Sequence, residues 1–167
     1  IEKVSQPSAD ALLLASVLLA VHDGRMLRLR GRRGVLQPAI ATGSIAAIGS
    51  AIASANNLRL EASSLPNSSF GFFLASQTQG FVANPGGSQG NLCLGGAIGR
   101  YVGTGQILNS GASGEIMLPA DLTMIPSPTG FIAAAPGDVF NFATWFRDSS
   151  MGSATSNFSQ GVAVTFQ

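Results

Sequence analysis

Few residues in this 167-residue chain could carry out acid–base or nucleophilic chemistry. The chain contains one histidine, His22, and one cysteine, Cys93. A catalytic serine or cysteine needs a neighbouring base, most often histidine, to accept its proton. Because His22 lies in an N-terminal segment of different composition, we expect no such pair in the main body. One Cys and one His also exclude an internal disulfide framework and a zinc site of the usual kind.

The single cysteine lies between two leucines, in the stretch Asn91-Leu-Cys-Leu94. A thiol in apolar surroundings resists ionisation, and the thiolate is the reactive form. We therefore predict that Cys93 is buried and inert.

Carboxylates are the remaining groups with catalytic potential. Five follow residue 34, namely Glu61, Glu115, Asp121, Asp138 and Asp148. A glycosidase needs two carboxyls about 5 to 9.5 Å apart in one cleft. The three aspartates lie at predicted strand ends or turns, where they usually bond the nearby backbone. We expect a domain that is not an enzyme and needs no metal or cofactor, and we keep a carboxylate-only glycoside hydrolase as the least favoured alternative.

The aromatic residues suggest binding rather than catalysis. Trp145, which is followed by Phe146, and Tyr101 each offer a flat apolar face on which a sugar ring can stack. We predict Trp145 and Tyr101 as candidate ligand contacts. The competing interpretation is that Trp145 packs in the core, as a lone tryptophan in an apolar strand usually does.

The elements that would position these groups are predicted to be strands. After residue 34, short apolar segments recur between clusters of Gly, Pro, Asn and Ser, which is typical of an all-β sandwich or barrel. We predict an antiparallel β-sandwich, jelly-roll or Ig-like. The expected strands are 44–50, 57–63, 70–76, 91–94, 114–118, 131–134, 138–147 and 161–166. Residues 83–90 and 123–130 are expected to be turns.

Two strands show clear alternation. In the first, Leu58, Leu60 and Ala62 share one face, and Arg59 and Glu61 share the other. In the second, one face carries Phe140, Phe142, Thr144 and Phe146, and the opposite face carries Val139, Asn141, Ala143 and Trp145. Because the second strand is apolar on both sides towards its end, we place it centrally in a sheet.

Arg100 is one of three arginines after residue 34 and lies near a predicted strand end beside glycines. We predict that it forms an ion pair with Asp148 or Asp138.

The N-terminal segment differs from the rest in charge. Residues 1–33 hold six basic residues against three acidic ones, a net charge of +3, whereas residues 34–167 hold three against five, a net charge of −2. We predict a basic Leu/Arg-rich arm at 1–34 and, apart from it, a β-sandwich domain at 35–167. The arm is expected to be helical over 9–21 or loosely ordered. The alternative to the helix is a turn at His22-Asp-Gly-Arg25 that links the apolar run to the alternating stretch 26–30. Without interleaved aromatic residues to stack bases, we expect no nucleic-acid partner.

The apolar run at 11–21 is too short to cross a bilayer, which takes about 20 residues. Its arginines follow the run, whereas a secretory signal has its positive charge in front. We therefore expect no transmembrane segment and find no convincing signal peptide.

A series of short motifs after residue 41 carries a resemblance to a known family. They are Thr42-Gly-Ser44, Ser69-Phe-Gly-Phe-Phe-Leu-Ala-Ser76, Ser88-Gln-Gly-Asn-Leu-Cys-Leu-Gly-Gly-Ala-Ile-Gly-Arg100, Asp121-Leu-Thr123, Pro136-Gly-Asp138, Trp145-Phe-Arg-Asp148, Thr155-Ser-Asn-Phe158 and Val162-Ala-Val-Thr-Phe166. On these residues, 41–167 resembles a recurrent C-terminal β domain of secreted or cell-surface proteins of environmental bacteria.

The resemblance implies export and a non-catalytic accessory role, and it brings no known activity or ligand with it. Similar domains tend to have a second cysteine shortly before the Thr-Gly-Ser motif, whereas residues 34–42 here contain none. An exported chain would then carry an unpaired thiol, which is unusual in an oxidising compartment. Residues 1–33 match nothing in the resemblance, and our hypothesis for their abrupt Arg/Leu composition is a foreign or out-of-frame extension.

Three function classes follow. The first is a non-catalytic accessory module of an exported protein, for surface attachment or protein–protein contact. The second is a carbohydrate-binding module, which needs a groove with at least two exposed aromatic residues. The third is the carboxylate-only hydrolase. The partner expected for the first two is a protein or a polysaccharide surface.

Overall fold

The computed structural model describes residues 43–167. The predictions for the N-terminal arm, including the helix over 9–21 and the placement of His22, lie outside the described residues. No helix within 43–167 is long and apolar enough to span a membrane.

The described residues form short strands joined by turns, with two single 3₁₀ turns at Ala53–Ala55 and Pro85–Gly87. The strands are β1 (Ser44–Ile48), β2 (Arg59–Ser63), β3 (Phe70–Ser76), β4 (Thr78–Val82), β5 (Leu92–Gly95), β6 (Gly99–Arg100), β7 (Leu108–Asn109), β8 (Ile116–Pro119), β9 (Ile125–Ser127), β10 (Gly130–Ile132), β11 (Val139–Ser150), β12 (Ser153–Phe158) and β13 (Val162–Thr165). The prediction of an all-β fold is confirmed.

The strands make two main antiparallel sheets. The smaller has the order β1-β2-β8. The larger has the order β12-β11-β3-β6, with β13 also paired to β11 and β7 to β3. Two further ribbons, β4-β5 and β9-β10, complete the described part of the fold.

The core lies between the two main sheets, which makes the fold the antiparallel sandwich that the sequence predicts. Leu60 and Ala62 from β2 are almost fully buried there, while Arg59 and Glu61 face outward, as the alternation predicts. The larger sheet contributes the buried rings of Phe73, Phe140, Phe142 and Phe146. Each buried ring removes a large apolar area from water, and this burial is the main driving force for stacking the sheets.

Strand β11 is central, as predicted. One edge pairs with β3, and the other pairs first with β13 and then with β12. Both of its faces are covered near the middle, because Phe142 and Phe146 belong to the main core whereas Ala143 and Trp145 belong to a second apolar cluster.

The second apolar cluster lies on the outer face of the larger sheet. Leu74, Leu94 and Ala143 are buried at its centre, and partly buried side chains surround them. Leu94 comes from the β4-β5 ribbon, so this ribbon covers part of a face that solvent would otherwise reach.

Five strands were not expected, and one turn prediction is wrong. Strands β4, β6, β7, β9 and β12 are additional to the predicted ones. The stretch 123–130 was expected to be a turn because it contains prolines and a glycine, but Ile125–Ser127 pairs with Gly130–Ile132 as a ribbon. Proline is tolerated in such short edge pairings because one side of the strand needs no backbone donor.

Candidate functional site

Three aromatic side chains form a line across the outer face of the larger sheet. Trp145 on β11 lies directly opposite Phe72 on β3 and directly opposite Phe158 on β12. Directly opposed residues in antiparallel strands point to the same face of a sheet. We call these three residues the aromatic row. All three are half-buried.

The Trp145 indole and the Phe72 ring are stacked, with centroids 4.9 Å apart and an angle of 26° between their planes. Such pairs contribute about 0.5–1.5 kcal/mol beyond the area that they bury. The row is therefore held in place by its own packing.

The aromatic row lines a groove of about 450 Å³, which we call the aromatic groove. Its other lining residues are Leu74, Leu92, Ile98, Pro85, Gly86 and Arg100. The groove is thus mainly apolar, with one cationic side chain. Binding sites for small molecules commonly combine an apolar surface with a few polar groups in this way.

A second hollow of about 340 Å³ adjoins the groove, and Trp145 and Gly86 line both. The second hollow is more polar, because Arg147, Thr155 and Ser156 contribute to it. Trp145 therefore stands between an apolar recess and a polar one.

The loop at Pro85–Gly87 forms the rim that the two hollows share. Gly86 and Gly87 have φ angles of 63° and 79°, which glycine adopts without steric cost. The loop is fastened to β12, because the Gln89 N–H donates to the Ser156 carbonyl at 2.8 Å and the Thr155 hydroxyl donates to the Gly87 carbonyl at 3.3 Å. The rim is thus fixed relative to the aromatic row.

The other aromatic candidates lie in the core. Tyr101 is only 2% exposed and belongs to the main core, so its ring offers no face to a ligand. Burial raises the pKa of the Tyr101 phenol above its ordinary value, and the negative charge of Asp121 adds to the effect. Phe146 is fully buried on the face opposite Trp145. Of the predicted contact residues, only Trp145 lines the aromatic groove.

Cys93 is half-buried, whereas the sequence predicted a fully buried thiol, so that prediction is wrong. It lies on β5, at the edge of the covering ribbon, where its Cβ is close to Gly161. A two-stranded ribbon cannot enclose its side chains on both faces, which explains the partial exposure.

The three aspartates bond the nearby backbone, as predicted. Asp121 accepts from the Thr123 N–H at 2.9 Å and from the Thr123 hydroxyl at 2.7 Å. These bonds, together with one from Asn56, lower the pKa of the Asp121 carboxyl. Asp138 accepts from the Ala135 N–H at 2.9 Å, and Asp148 from the Ser149 N–H at 2.7 Å.

The two glutamates line a separate hollow of about 550 Å³ on the outer face of the smaller sheet. Glu61 lies opposite Met117 of β8, and Glu115 directly precedes β8. Glu61 is ion-paired with Arg59, and Glu115 is exposed. A glycosidase acid must hold its proton near neutral pH, usually because burial raises its pKa. Neither glutamate is buried in this way.

The predicted ion pair of Arg100 is not present within residues 43–167. Asp138 and Asp148 bond backbone groups instead, and Asp148 also accepts from the Asn157 amide at 3.0 Å. In the part of the chain that the structure describes, the one salt bridge joins Arg59 and Glu61.

The described residues contain no group of three or more His, Cys, Asp or Glu side chains that could hold a metal ion. Comparison with protein-family models, with curated proteins and with solved structures finds no match to this chain.

Sequence reasoning found Trp145 but missed Phe72, Phe158 and the two arginines of the hollows. Phe72 and Phe158 share a face with Trp145 only because of the strand register. A usable signal was the position of Phe72 between the buried Phe73 and Gly71, which alternation places on the outer face.

Proposed function

We propose that this domain is a non-catalytic accessory module of an exported protein, and that it attaches the protein to a polysaccharide through the aromatic row. The observation that carries the proposal is the Trp145 indole, stacked on Phe72 and in line with Phe158 along an open groove.

The physical basis is the complementarity between a sugar and this surface. The C–H face of a pyranose ring is apolar and packs on an aromatic ring, while its hydroxyls at the edge need polar partners. The groove supplies the rings, and the hollow beyond Trp145 supplies the hydroxyl of Ser156, which is half-buried. Two adjoining hollows suit an extended ligand that passes over Trp145.

A binding role without catalysis agrees with the placement of the carboxylates. No carboxylate lines the aromatic groove or the adjoining hollow. A glycoside hydrolase of the two-carboxylate type would need both groups beside the bound sugar.

Export and the accessory role are parts of the same proposal. They rest on the resemblance of residues 41–167 to the C-terminal β domain of secreted or cell-surface bacterial proteins. An attachment module of this kind works beside a separate functional part of its protein.

The test is a glycan array probed with the full chain, followed by calorimetry on the glycans that bind. Trp145→Ala should weaken binding by about tenfold or more, which corresponds to about 1.4 kcal/mol. Phe131→Ala is the matched control, because Phe131 is 64% exposed on β10 and does not line the groove. It should bind as the wild type does.

Circular dichroism and thermal melting of both variants show whether the fold is kept. The proposal fails if no glycan binds, or if folded Trp145→Ala binds as tightly as the wild type.

A further inference from the structure

Of the three arginines in residues 43–167, only one is paired with a carboxylate of these residues. Residues 43–167 contain no lysine and three arginines against five carboxylates, a net charge of −2. Arg59 is paired with Glu61 on the smaller sheet. Arg100 and Arg147 have no carboxylate partner within the described residues, and each lines one of the two hollows that meet at Trp145.

Strand alternation brings both arginines to the face of the aromatic row. Arg147 follows Trp145 by two residues on β11 and therefore points to the same side. Arg100 lies opposite Leu74, which follows Phe72 by two residues on β3. Both guanidinium groups thus belong to the outer face of the larger sheet.

The two arginines lie on opposite sides of the row. Leu74, the partner of Arg100, is opposite Ala143, whereas Arg147 is four residues further along β11. Four residues of a strand span about 13 Å. Two cations therefore flank Trp145, one before it and one after it along the strand direction.

The carboxylate of Asp148, next to Arg147 in the sequence, does not form an ion pair with either of these two arginines. Asp148 follows Arg147 directly and so faces the other side of β11, where it accepts from the amide of the buried Asn157 at 3.0 Å. Since no carboxylate lines either hollow, both guanidinium groups are open to an anion from outside.

We propose that the aromatic groove takes an acidic polysaccharide, in which a sugar stacked on Trp145 places carboxylate or sulfate groups against Arg100 and Arg147. This inference rests on the proposed function, because it specifies the ligand of the same groove. Guanidinium groups suit this task, since their planar donors bond both oxygens of a carboxylate or sulfate.

A nucleic acid is the competing polyanion, because it too combines flat rings with negative charge. Its affinity depends mainly on neutralising several phosphates with basic side chains. Residues 43–167 provide two arginines without a carboxylate partner on a surface with a net charge of −2. This charge balance favours a ligand with widely spaced anionic groups over a nucleic acid.

The experiment compares acidic polymers with neutral counterparts of the same backbone. The probes are polygalacturonate, alginate and hyaluronate, each before and after reduction of its carboxyl groups, and calorimetry with the full chain measures binding. At low salt we expect at least one acidic polymer to bind roughly three- to tenfold more tightly than its reduced form, because exposed ion pairs are individually weak. This preference should shrink as salt is added.

Arg100→Gln and Arg147→Gln should each reduce the preference for the acidic polymer over its reduced form. Arg59→Gln is the matched control, since Arg59 lies on the other sheet, and it should keep the preference.

Each outcome decides between the two proposals. If reduced polymers bind as well as the acidic ones and binding still needs Trp145, the inference is overturned and the proposed function stands. The same holds if acidic polymers are preferred but neither Arg100→Gln nor Arg147→Gln alters the preference. If no polymer of either kind binds, the inference is overturned, and the glycan array decides the proposed function separately. If a single-stranded oligonucleotide binds more tightly than every polymer, both proposals are wrong.

Discussion

The Phe72 ring and the Trp145 indole stack at a centroid distance of 4.9 Å although the two residues are 73 positions apart in the sequence. Register between β3 and β11 creates this pair, because the two residues lie directly opposite each other. The aromatic groove is thus preformed, and the sugar that we propose as its ligand would not have to order it.

Phe72→Leu should disturb Trp145 without unfolding the protein. The substitution keeps an apolar side chain but removes the aromatic stacking, so we expect the free energy of unfolding to fall by about 1 kcal/mol. Since Trp145 is the only tryptophan in the chain, its fluorescence spectrum should change as well. Phe131→Leu, away from the row, should leave the spectrum unchanged. An unaltered emission in Phe72→Leu would contradict the stacking.

Phe142→Ala should be strongly destabilising, because Phe142 is fully buried on the central strand. Truncating such a ring typically costs about 3–5 kcal/mol, through lost burial and the cavity that remains. The matched control is Phe131→Ala, which should change stability by about 0.5 kcal/mol at most. Urea unfolding measures both. Similar midpoints for the two variants would contradict the assigned core.

Tyr101 should not ionise in the native protein near its ordinary pKa of about 10. Burial raises the pKa of its phenol in the fold, so the stability linked to it is full below about pH 10 and falls as the pH rises towards the raised pKa. Phenolate absorbance of this single tyrosine should therefore appear together with unfolding.

The control is Tyr101→Phe. Without a phenol to ionise, this variant should not show the loss of stability that Tyr101 causes at high pH. Within the described residues the hydroxyl has no hydrogen-bond partner, so the substitution should cost little stability at neutral pH. Reversible ionisation of Tyr101 near pH 10 in a protein that stays folded would refute the buried position.

Asp121 should make the protein sensitive to acid. Hydrogen bonds from Thr123 and Asn56 lower the pKa of its carboxyl in the fold. The stability linked to it is therefore present above the ordinary aspartate pKa of about 3.9 and is lost as the pH falls through the lowered value. Asp121→Asn should show a smaller loss of stability than the wild type on acidification.

Urea midpoints at neutral and acidic pH measure this difference, and Glu115→Gln provides an exposed control with the same change of charge. If the wild type and Asp121→Asn lose the same stability on acidification, the bonds to Thr123 do not favour the ionised carboxyl.

Gly99→Ala should be destabilising because β6 passes close to the backbone of β9. A Cβ at position 99 would overlap the carbonyl oxygen of Pro126, so one of the strands must move. Overpacking of this kind typically costs about 1–3 kcal/mol. Gly103→Ala is the control, because its added methyl would meet only the end of the flexible Gln106 side chain. Thermal melting should separate the two variants, and equal melting temperatures would contradict the close approach.

Local periodicity was enough to predict the central parts of the fold. Strand β3 has the predicted bounds, and the alternation in β11 correctly assigned Phe142 and Trp145 to opposite faces. Both strands combine apolar and β-branched or aromatic residues at a period of two, and burial reinforces that pattern.

The unexpected strands lack such a pattern for physical reasons. All five residues of β4 are exposed, so burial imposes no alternation on Thr78–Val82. Strand β12 lies at the edge of the larger sheet and is mostly Ser, Thr and Asn, residues that sequence rules assign to turns. Strand β9 contains Pro126, which normally argues against a strand.

The site itself depends on information that a single sequence does not contain. Trp145 was a candidate because of its residue type, but its neighbours Phe72, Phe158 and Arg100 come from three other strands. Their placement beside Trp145 follows from strand order and register, which local propensities do not determine.

The adjacency of Trp145 and Phe146 on β11 ties the groove to the core, since one side chain faces the groove and the next is fully buried between the sheets. A displacement of the β11 backbone that carries Trp145 would therefore also disturb the packing of Phe146. A ligand held on Trp145 would slow amide hydrogen exchange throughout the paired strands, in proportion to its concentration, and not only beside the bound sugar.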